Sequence, residues 1–172
     1  MEQLTDEDLM SKVAKGNLDV LKILFERHHR HVFNFLYKMC GDRMLSEDLT
    51  QEVFYKVMKY RTSYHSGKFV SWLFTIARNG LKTYYRRDKK NHAELDAVIN
   101  KKAEKEADNG DYSDLHLALS QLDPSDRELL ILNRFQEIRY AELAEIVGST
   151  PGAVRTKVSR ALQKLKKIYL KT

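Results

Sequence analysis

The chain has 172 residues and a formal net charge of +6, a length that fits one ordinary domain or two small helical ones. Its seven glycines and two prolines are too few for the many tight turns of a β-sandwich or barrel, so the composition favours long helices. No apolar stretch approaches the roughly 20 residues that span a bilayer. The first residues are acidic, unlike a secretory signal, and Cys40 is the single cysteine, which fits a reducing compartment. We therefore expect a cytoplasmic protein that does not insert into a membrane.

Four helices are predicted in the first half of the chain. The first covers about residues 6–16, and the second covers residues 18–40, where apolar side chains recur at three- and four-residue steps until Gly41 ends the helix. The third begins at Ser46, which two acidic residues follow in the first turn. The fourth covers residues 69–90, and its Trp72 lies among apolar neighbours and is expected in the core.

The second half divides into a polar segment and a further helical unit. Residues 93–112 are rich in Lys, Glu, Asp and Ala, with few large apolar groups. Beyond them, Pro124 suits the first position of a helix, where its missing N–H costs nothing. The predicted fold is all-α, with two small helical domains, residues 1–92 and 113–172, joined by a flexible acidic linker, residues 93–112.

The positive charge is concentrated in two blocks. Residues 61–92 hold eight Lys and Arg against one Asp, and residues 139–172 hold eight against two Glu, with a net acidic stretch between the blocks. Two separate basic blocks on predicted helices favour two contacts with nucleic acid. The alternative is that both are ordinary solvated helix faces.

The strongest local signal is a helix-turn-helix pattern in residues 139–167. A short amphipathic helix is followed by Gly148, which suits a left-handed helix end, and then by Thr150 and Pro151, which suit the start of the next helix. With Val154 and its periodic partners buried, the outward side chains near the start of that helix are basic or carry hydroxyls. They are Arg155, Thr156, Ser159 and Arg160. An ordinary helical hairpin with solubilising charges is the alternative.

Three segments together resemble a known family. Residues 46–60, SEDLTQEVFYKVMKY, resemble the sigma region 2 helix that docks on the clamp of RNA polymerase. Residues 69–90, FVSWLFTIARNGLKTYYRRDKK, resemble the following helix, which reads the −10 promoter element. Residues 122–167 are similar to sigma region 4, which reads the −35 element. Because there is no room for a further domain between these regions, the chain resembles the extracytoplasmic-function (ECF) sigma factors of bacteria.

The resemblance implies site residues in each segment. Contacts with core polymerase are expected from Asp48, Gln51, Glu52 and Phe54, of which the first three share one helix face. Contacts with the −10 element are expected from Arg78, Asn79, Lys82, Tyr85 and Arg86, whose donors and aromatic ring suit single-stranded DNA. Contacts with the −35 element are expected from Arg155, Thr156, Lys157, Ser159 and Arg160.

The resemblance also implies partners and a mode of action. Core RNA polymerase and promoter DNA are the expected partners, an anti-sigma factor is the expected inhibitor, and the free protein is expected to be a monomer. Neither catalytic residues nor cofactors are predicted, and His28 and His31 alone do not make a metal site. The alternatives are a conventional helix-turn-helix regulator that binds operator DNA on its own, and a helical adaptor for an acidic protein.

Overall fold

The fold consists of helices and short turns in the part of the chain that the computed structural model describes, residues 4–91 and 111–170. Almost all of the predicted linker, residues 93–112, lies outside the described residues. The described α-helices are α1 (Asp6–Ala14), α2 (Leu21–Cys40), α3 (Arg43–Lys59), α4 (Phe69–Asn91), α5 (Asp111–Ser120), α6 (Pro124–Leu130), α7 (Tyr140–Val147) and α8 (Pro151–Leu170). Short 3₁₀ turns at Leu18–Val20 and Arg61–Ser63 and a π-helical turn at Ile131–Phe135 complete them.

The ends of the helices follow from local chemistry. The predicted stop at Gly41 is confirmed, since this residue has a left-handed backbone with φ of 72° and ends α2. The predicted start of α3 at Ser46 is wrong by three residues. The cap is Asp42, whose Oδ1 accepts from the Leu45 N–H at 3.1 Å, and Ser46 is buried inside the first turn.

The first domain packs α1 to α4 around an aromatic and aliphatic core. Phe35 of α2 and Phe74 of α4 meet edge to face, with ring centroids 5.7 Å apart, and both are almost fully buried. The N-terminal helix is tied to α4, because the Phe69 N–H at the start of α4 donates to Glu7 Oε2 at 2.9 Å. Trp72, predicted in the core, is half-buried at the edge of this core, against Tyr64 and Phe69.

The second domain packs α5 to α8 around its own aliphatic side chains. Its fully buried members include Leu119, Leu130, Leu132, Val154 and Val158. The predicted position of Pro124 at the start of α6 is confirmed. After α6 the backbone widens into the π-helical turn, which directs the chain into α7.

The two domains contact each other along the C-terminal half of α2 and along α4. The ring of Tyr37 on α2 meets His116 on α5 edge to face at 4.7 Å. The adjacent Lys38 is buried, with its Nζ 5.0 Å from the centre of the Phe135 ring. Helix α4 lies against α7. The domain that carries the helix-turn-helix pattern therefore packs against the first domain.

This packing predicts a pH dependence of stability. Burial, together with the charge of Lys38, lowers the pKa of His116 from 6.5 to about 4. Below about pH 6.5 the imidazole of His116 is protonated in the unfolded chain but remains neutral in the folded protein. The folded protein therefore loses stability as the pH falls from 6.5 towards 4. We expect the melting temperature to fall between pH 7 and pH 5, and to fall less in His116→Gln. The same change of melting temperature with pH in wild type and His116→Gln would contradict this role of His116.

Candidate nucleic-acid and polymerase interfaces

Helices α7 and α8 form the helix-turn-helix. Gly148 ends α7 with a left-handed backbone, φ of 70°, and its N–H donates to the Ala144 carbonyl. The next N–H, that of Ser149, donates to the same carbonyl at 2.9 Å. Thr150 then caps α8 by accepting from the Ala153 N–H at 3.2 Å. The turn predicted from Gly148, Thr150 and Pro151 is therefore confirmed in each of its parts.

The N-terminal half of α8 presents one polar, basic face. Val154, Val158 and Ala161 are buried against the rest of the domain. The side chains predicted to read the −35 element are all exposed on α8, namely Arg155, Thr156, Lys157, Ser159 and Arg160. Such a face suits the major groove, where arginine can bind guanine through two hydrogen bonds.

Four of the five residues predicted to contact the −10 element form an exposed surface on α4. They are Asn79, Lys82, Tyr85 and Arg86, and Tyr85 remains 44% exposed beside Tyr84. The fifth residue, Arg78, is different. Its side chain is 18% exposed and its Nε donates to Glu128 Oε1 of α6 at 2.6 Å. Asn79, Lys82 and Arg86 thus share one exposed side of α4. Tyr85, seven residues after Arg78, lies on the side of Arg78 and near Arg127 of the second domain.

The loop before α4 has a fixed shape. Tyr64 is buried against Trp72, and its hydroxyl donates to the Gly67 carbonyl at 2.7 Å. Arg61 donates to the Met58 carbonyl at the end of α3 at 2.9 Å. These contacts join the loop to its own backbone and to the end of α3, and His65 and Lys68 are exposed between α3 and α4. A shaped, polar loop of this kind can position an unpaired base.

The face of α3 predicted to bind polymerase is exposed and mostly acidic. Asp48, Gln51 and Glu52 are all exposed, and Glu52 pairs with Lys56 at 3.3 Å. Phe54, which the sequence assigned to the same interface, is only 7% exposed. Its ring lies 5.0 Å from that of Phe25, edge to face. The structure therefore separates Phe54, a buried support, from the exposed polar residues.

A groove beside this face was missed by sequence reasoning. It has a volume of about 440 Å³ and runs between α2 and α3. Phe25, which the helical periodicity placed on the buried stripe, is 38% exposed and stacks on His29 at 4.6 Å. Phe33 of α2 and Gln51 of α3 also line the groove. An apolar floor with polar edges suits a partner helix.

The family follows from comparison with known proteins. Residues 24–91 match the Sigma-70 region 2 family and residues 112–165 match the Sigma-70 region 4 family. RNA polymerase sigma factor CarQ of Myxococcus xanthus is 32% identical over 92% of this chain and 94% of that protein. ECF RNA polymerase sigma factor SigM of Bacillus subtilis is 30% identical over 85% and 93%. The chain belongs to the ECF sigma factors.

Solved structures agree on the fold of this ECF sigma factor. CnrH, solved in complex with the cytosolic domain of CnrY, has a TM-score of 0.74 at 21% identity, covering 95% of this chain and 96% of CnrH. The sigma factor RpoE of Bartonella quintana, solved with the anti-sigma factor NepR, has a TM-score of 0.70 at 23% identity, covering 86% and 94%.

The family assignment decides between the functional hypotheses. The region 2 match covers most of α2 and all of α3 and α4, which a conventional helix-turn-helix regulator does not account for. A sigma factor is a transcription initiation factor rather than an enzyme, and it binds core RNA polymerase and promoter DNA. Within the described ranges no cluster of three or more His, Cys, Asp or Glu could hold a metal ion. None of the described helices is long and apolar enough to cross a membrane.

Proposed function

We propose that this ECF sigma factor divides promoter recognition between its two domains. The first domain, residues 1–92, docks on core polymerase and captures the −10 element, and the second, residues 113–172, reads the −35 element, with residues 93–112 as the linker. The observation that supports this division most directly is the pair of exposed basic faces. One lies on α4 of the first domain and the other on α8 of the second.

The second domain is proposed to place α8 in the major groove of the −35 element. Arg155 and Arg160 are both exposed, in successive turns of α8, and arginine can read base edges in the groove. Lys157 and Ser159 are suited to phosphate contacts that fix the register of the helix. Thr156 donates its hydroxyl to the Gly152 carbonyl at 3.1 Å, so its oxygen is available to DNA as an acceptor.

The first domain is proposed to hold the melted −10 strand. Asn79, Lys82 and Arg86 lie on the exposed side of α4 at steps of three and four residues, so they follow one line along the helix. Tyr85 adds a half-exposed ring on which a base can stack. The shaped loop between α3 and α4 lies at the start of the same helix, where it can take up a flipped base.

Core polymerase is proposed to bind the α3 face and the adjoining groove. Asp48, Gln51 and Glu52 offer charge and hydrogen-bond acceptors to basic residues of a partner helix. Phe25 offers an apolar contact in the groove, supported from below by Phe54. A combined apolar floor and acidic edge gives both affinity and orientation.

The remaining proposals concern location and control. Cytoplasmic action is proposed because core polymerase and promoter DNA are the partners of a sigma factor. We propose that an anti-sigma factor binds the exposed faces of the monomer and blocks them. The structural neighbour RpoE was solved with such a partner, and the exposed apolar side chains beside the charged faces suit a protein inhibitor.

The proposal is tested with purified core polymerase. We expect the protein to bind core and to direct run-off transcription from a subset of a pooled promoter library. Reversing the charge in Asp48→Lys should weaken binding to core by about tenfold, because an attractive charge contact becomes repulsive. The matched control is Asp19→Lys, an exposed acid outside the α3 face. Binding of free protein to duplex DNA without binding to core would contradict the proposal.

A further inference from the structure

The start of α4 is capped by a residue from another helix. The residue directly before α4 is Lys68, whose ammonium group donates hydrogen bonds and cannot accept one. The acceptor comes instead from α1, because Glu7 Oε2 accepts from the Phe69 N–H at 2.9 Å, across 62 residues of sequence. The carboxylate also places a negative charge at the positive end of the α4 dipole. Glu7 therefore caps α4 at the point where the loop of residues 61–68 enters the helix.

The rest of α1 fixes the position of Glu7. On one side of α1, Leu9 is fully buried in the core of the first domain. Next to Glu7 in the chain, Asp6 binds two neighbouring side chains of α2. Its Oδ1 accepts from Arg27 Nη1 at 3.1 Å, and its Oδ2 lies 2.9 Å from His28 Nε2. The carboxylate that caps α4 is thus carried by a helix that is itself anchored to α2.

Glu7 also lies beside the aromatic side chain that shapes the loop. The Tyr64 hydroxyl donates to the Gly67 carbonyl at 2.7 Å, and the Tyr64 ring meets Phe69 edge to face at 6.3 Å. Burial and the negative charge of Glu7 raise the pKa of the Tyr64 hydroxyl, so the carboxylate lies close to this side chain. Helix α1 packs against the turn at Arg61–Ser63 as well. Both ends of the loop are therefore in contact with α1 or with the helix that Glu7 caps.

We propose that Glu7 is a positioning residue for −10 recognition, which holds the loop of residues 61–68 and α4 in one arrangement so that both meet the same DNA strand. This inference rests on the proposed role of the loop and α4 in capturing the −10 element. A binding site keeps its selectivity only when its groups are held to within about 0.5 Å. The match to region 2 begins after α1, so the family assignment gives this helix no role.

The first test compares two substitutions of Glu7. The amide oxygen of Glu7→Gln still accepts from the Phe69 N–H, whereas Glu7→Ala has no acceptor. The measurement is run-off transcription by saturated holoenzyme from templates altered at one −10 or −35 position at a time. In Glu7→Ala we expect discrimination between −10 bases to fall by about 5- to 10-fold, with −35 discrimination unchanged. Glu7→Gln should stay within about twofold of wild type at both elements. Equal loss in the two variants, or none in Glu7→Ala, would overturn the proposal.

Two controls separate positioning from stability. Asp8 is an exposed acid in the same first turn of α1, so Asp8→Ala removes a comparable charge from the helix and should leave discrimination unchanged. Val13 is fully buried near the other end of α1, so Val13→Ala should lower the melting temperature and retain −10 discrimination. If discrimination falls in proportion to melting temperature in Glu7→Ala and Val13→Ala alike, α1 acts through stability alone and the proposal is overturned.

Hydrogen exchange of the free protein, followed by NMR, reports the contact itself. The first N–H groups of a helix have no partner within it, so protection of the Phe69 N–H depends on Glu7. We expect this amide to exchange faster in Glu7→Ala than in wild type, and Glu7→Gln to restore most of the protection. Exchange of the Phe69 amide at the same rate in all three proteins would overturn the proposal.

A further variant, Asn79→Ala, distinguishes failure of this inference from failure of the proposed function. Asn79 is exposed on α4 and belongs to the proposed −10 surface. If Asn79→Ala loses −10 discrimination while Glu7→Ala keeps it, the positioning role of Glu7 is wrong and the proposed function stands. If Asn79→Ala keeps full −10 discrimination, α4 does not read the −10 element and the proposed function itself fails, although the exchange of the Phe69 amide still responds to Glu7→Ala.

Discussion

Replacing Arg155 or Arg160 by alanine should reduce discrimination between intact and altered −35 elements by about 1–3 kcal/mol each. Both side chains are exposed on the N-terminal half of α8, directly after the capped turn that fixes the direction of the helix. An arginine that binds guanine through two hydrogen bonds loses both on truncation. Transcription from the altered template should change little, because the proposed −10 contacts remain.

The measurement is run-off transcription by the reconstituted holoenzyme from paired templates that differ only in the −35 element. Lys166→Ala is the control, because this exposed cation lies on α8 beyond the proposed recognition face. Lys166→Ala should weaken holoenzyme binding equally on both templates, and this binding should depend less on salt concentration. Unchanged discrimination in both arginine variants would remove α8 from −35 readout.

Features that depend on a few adjacent residues could be predicted from the sequence. The turn of the helix-turn-helix is one example, since Gly148 and Thr150 determine the end of α7 and the cap of α8 through contacts within three or four residues. The exposed set on α8 is another, because burying Val154 and Val158 leaves only one direction for the side chains between them.

Features that depend on distant residues could not be predicted. The role of Arg78 in the domain contact depends on Glu128, 50 residues away in the chain, and no local pattern relates the two. A basic residue on α4 has the same appearance in the sequence whether it faces DNA or a carboxylate of the other domain. The sequence therefore predicts an exposed basic surface on α4, but not that Glu128 binds Arg78 within it.

Periodicity also fails at the edge of an apolar stripe. Phe25 and Phe54 each fall on the apolar stripe of an amphipathic helix. Periodicity therefore predicts burial for both, and only the family resemblance distinguishes Phe54 as a polymerase contact. In the structure Phe54 is buried, whereas Phe25 is 38% exposed beside the groove. The difference depends on how α2 and α3 pack against each other, which neither helix determines alone. Similarly, Asp42 begins α3 earlier than expected, because its side chain caps Leu45 immediately after Gly41.

The second large effect is expected in the core of the first domain. Phe35→Ala should lower the free energy of unfolding by about 3–5 kcal/mol, a large share of the 5–15 kcal/mol that stabilises a typical domain. Phe35 is fully buried and its ring packs on Phe74, so truncation loses apolar burial and leaves a cavity between α2 and α4. Chemical denaturation followed by circular dichroism measures the change as a shift in midpoint.

The matched variant is Phe25→Ala on the same helix, because both residues are phenylalanines of α2 that differ in exposure. Because Phe25 is 38% exposed, Phe25→Ala should lower the free energy of unfolding by only about 1 kcal/mol. Its loss should instead weaken binding to core polymerase, since the apolar floor of the groove is reduced. Phe35→Ala protein that remains folded should bind core normally. The reverse pattern, with Phe25 decisive for folding and irrelevant to core binding, would mean that the groove belongs to the core of the domain and that polymerase docks elsewhere.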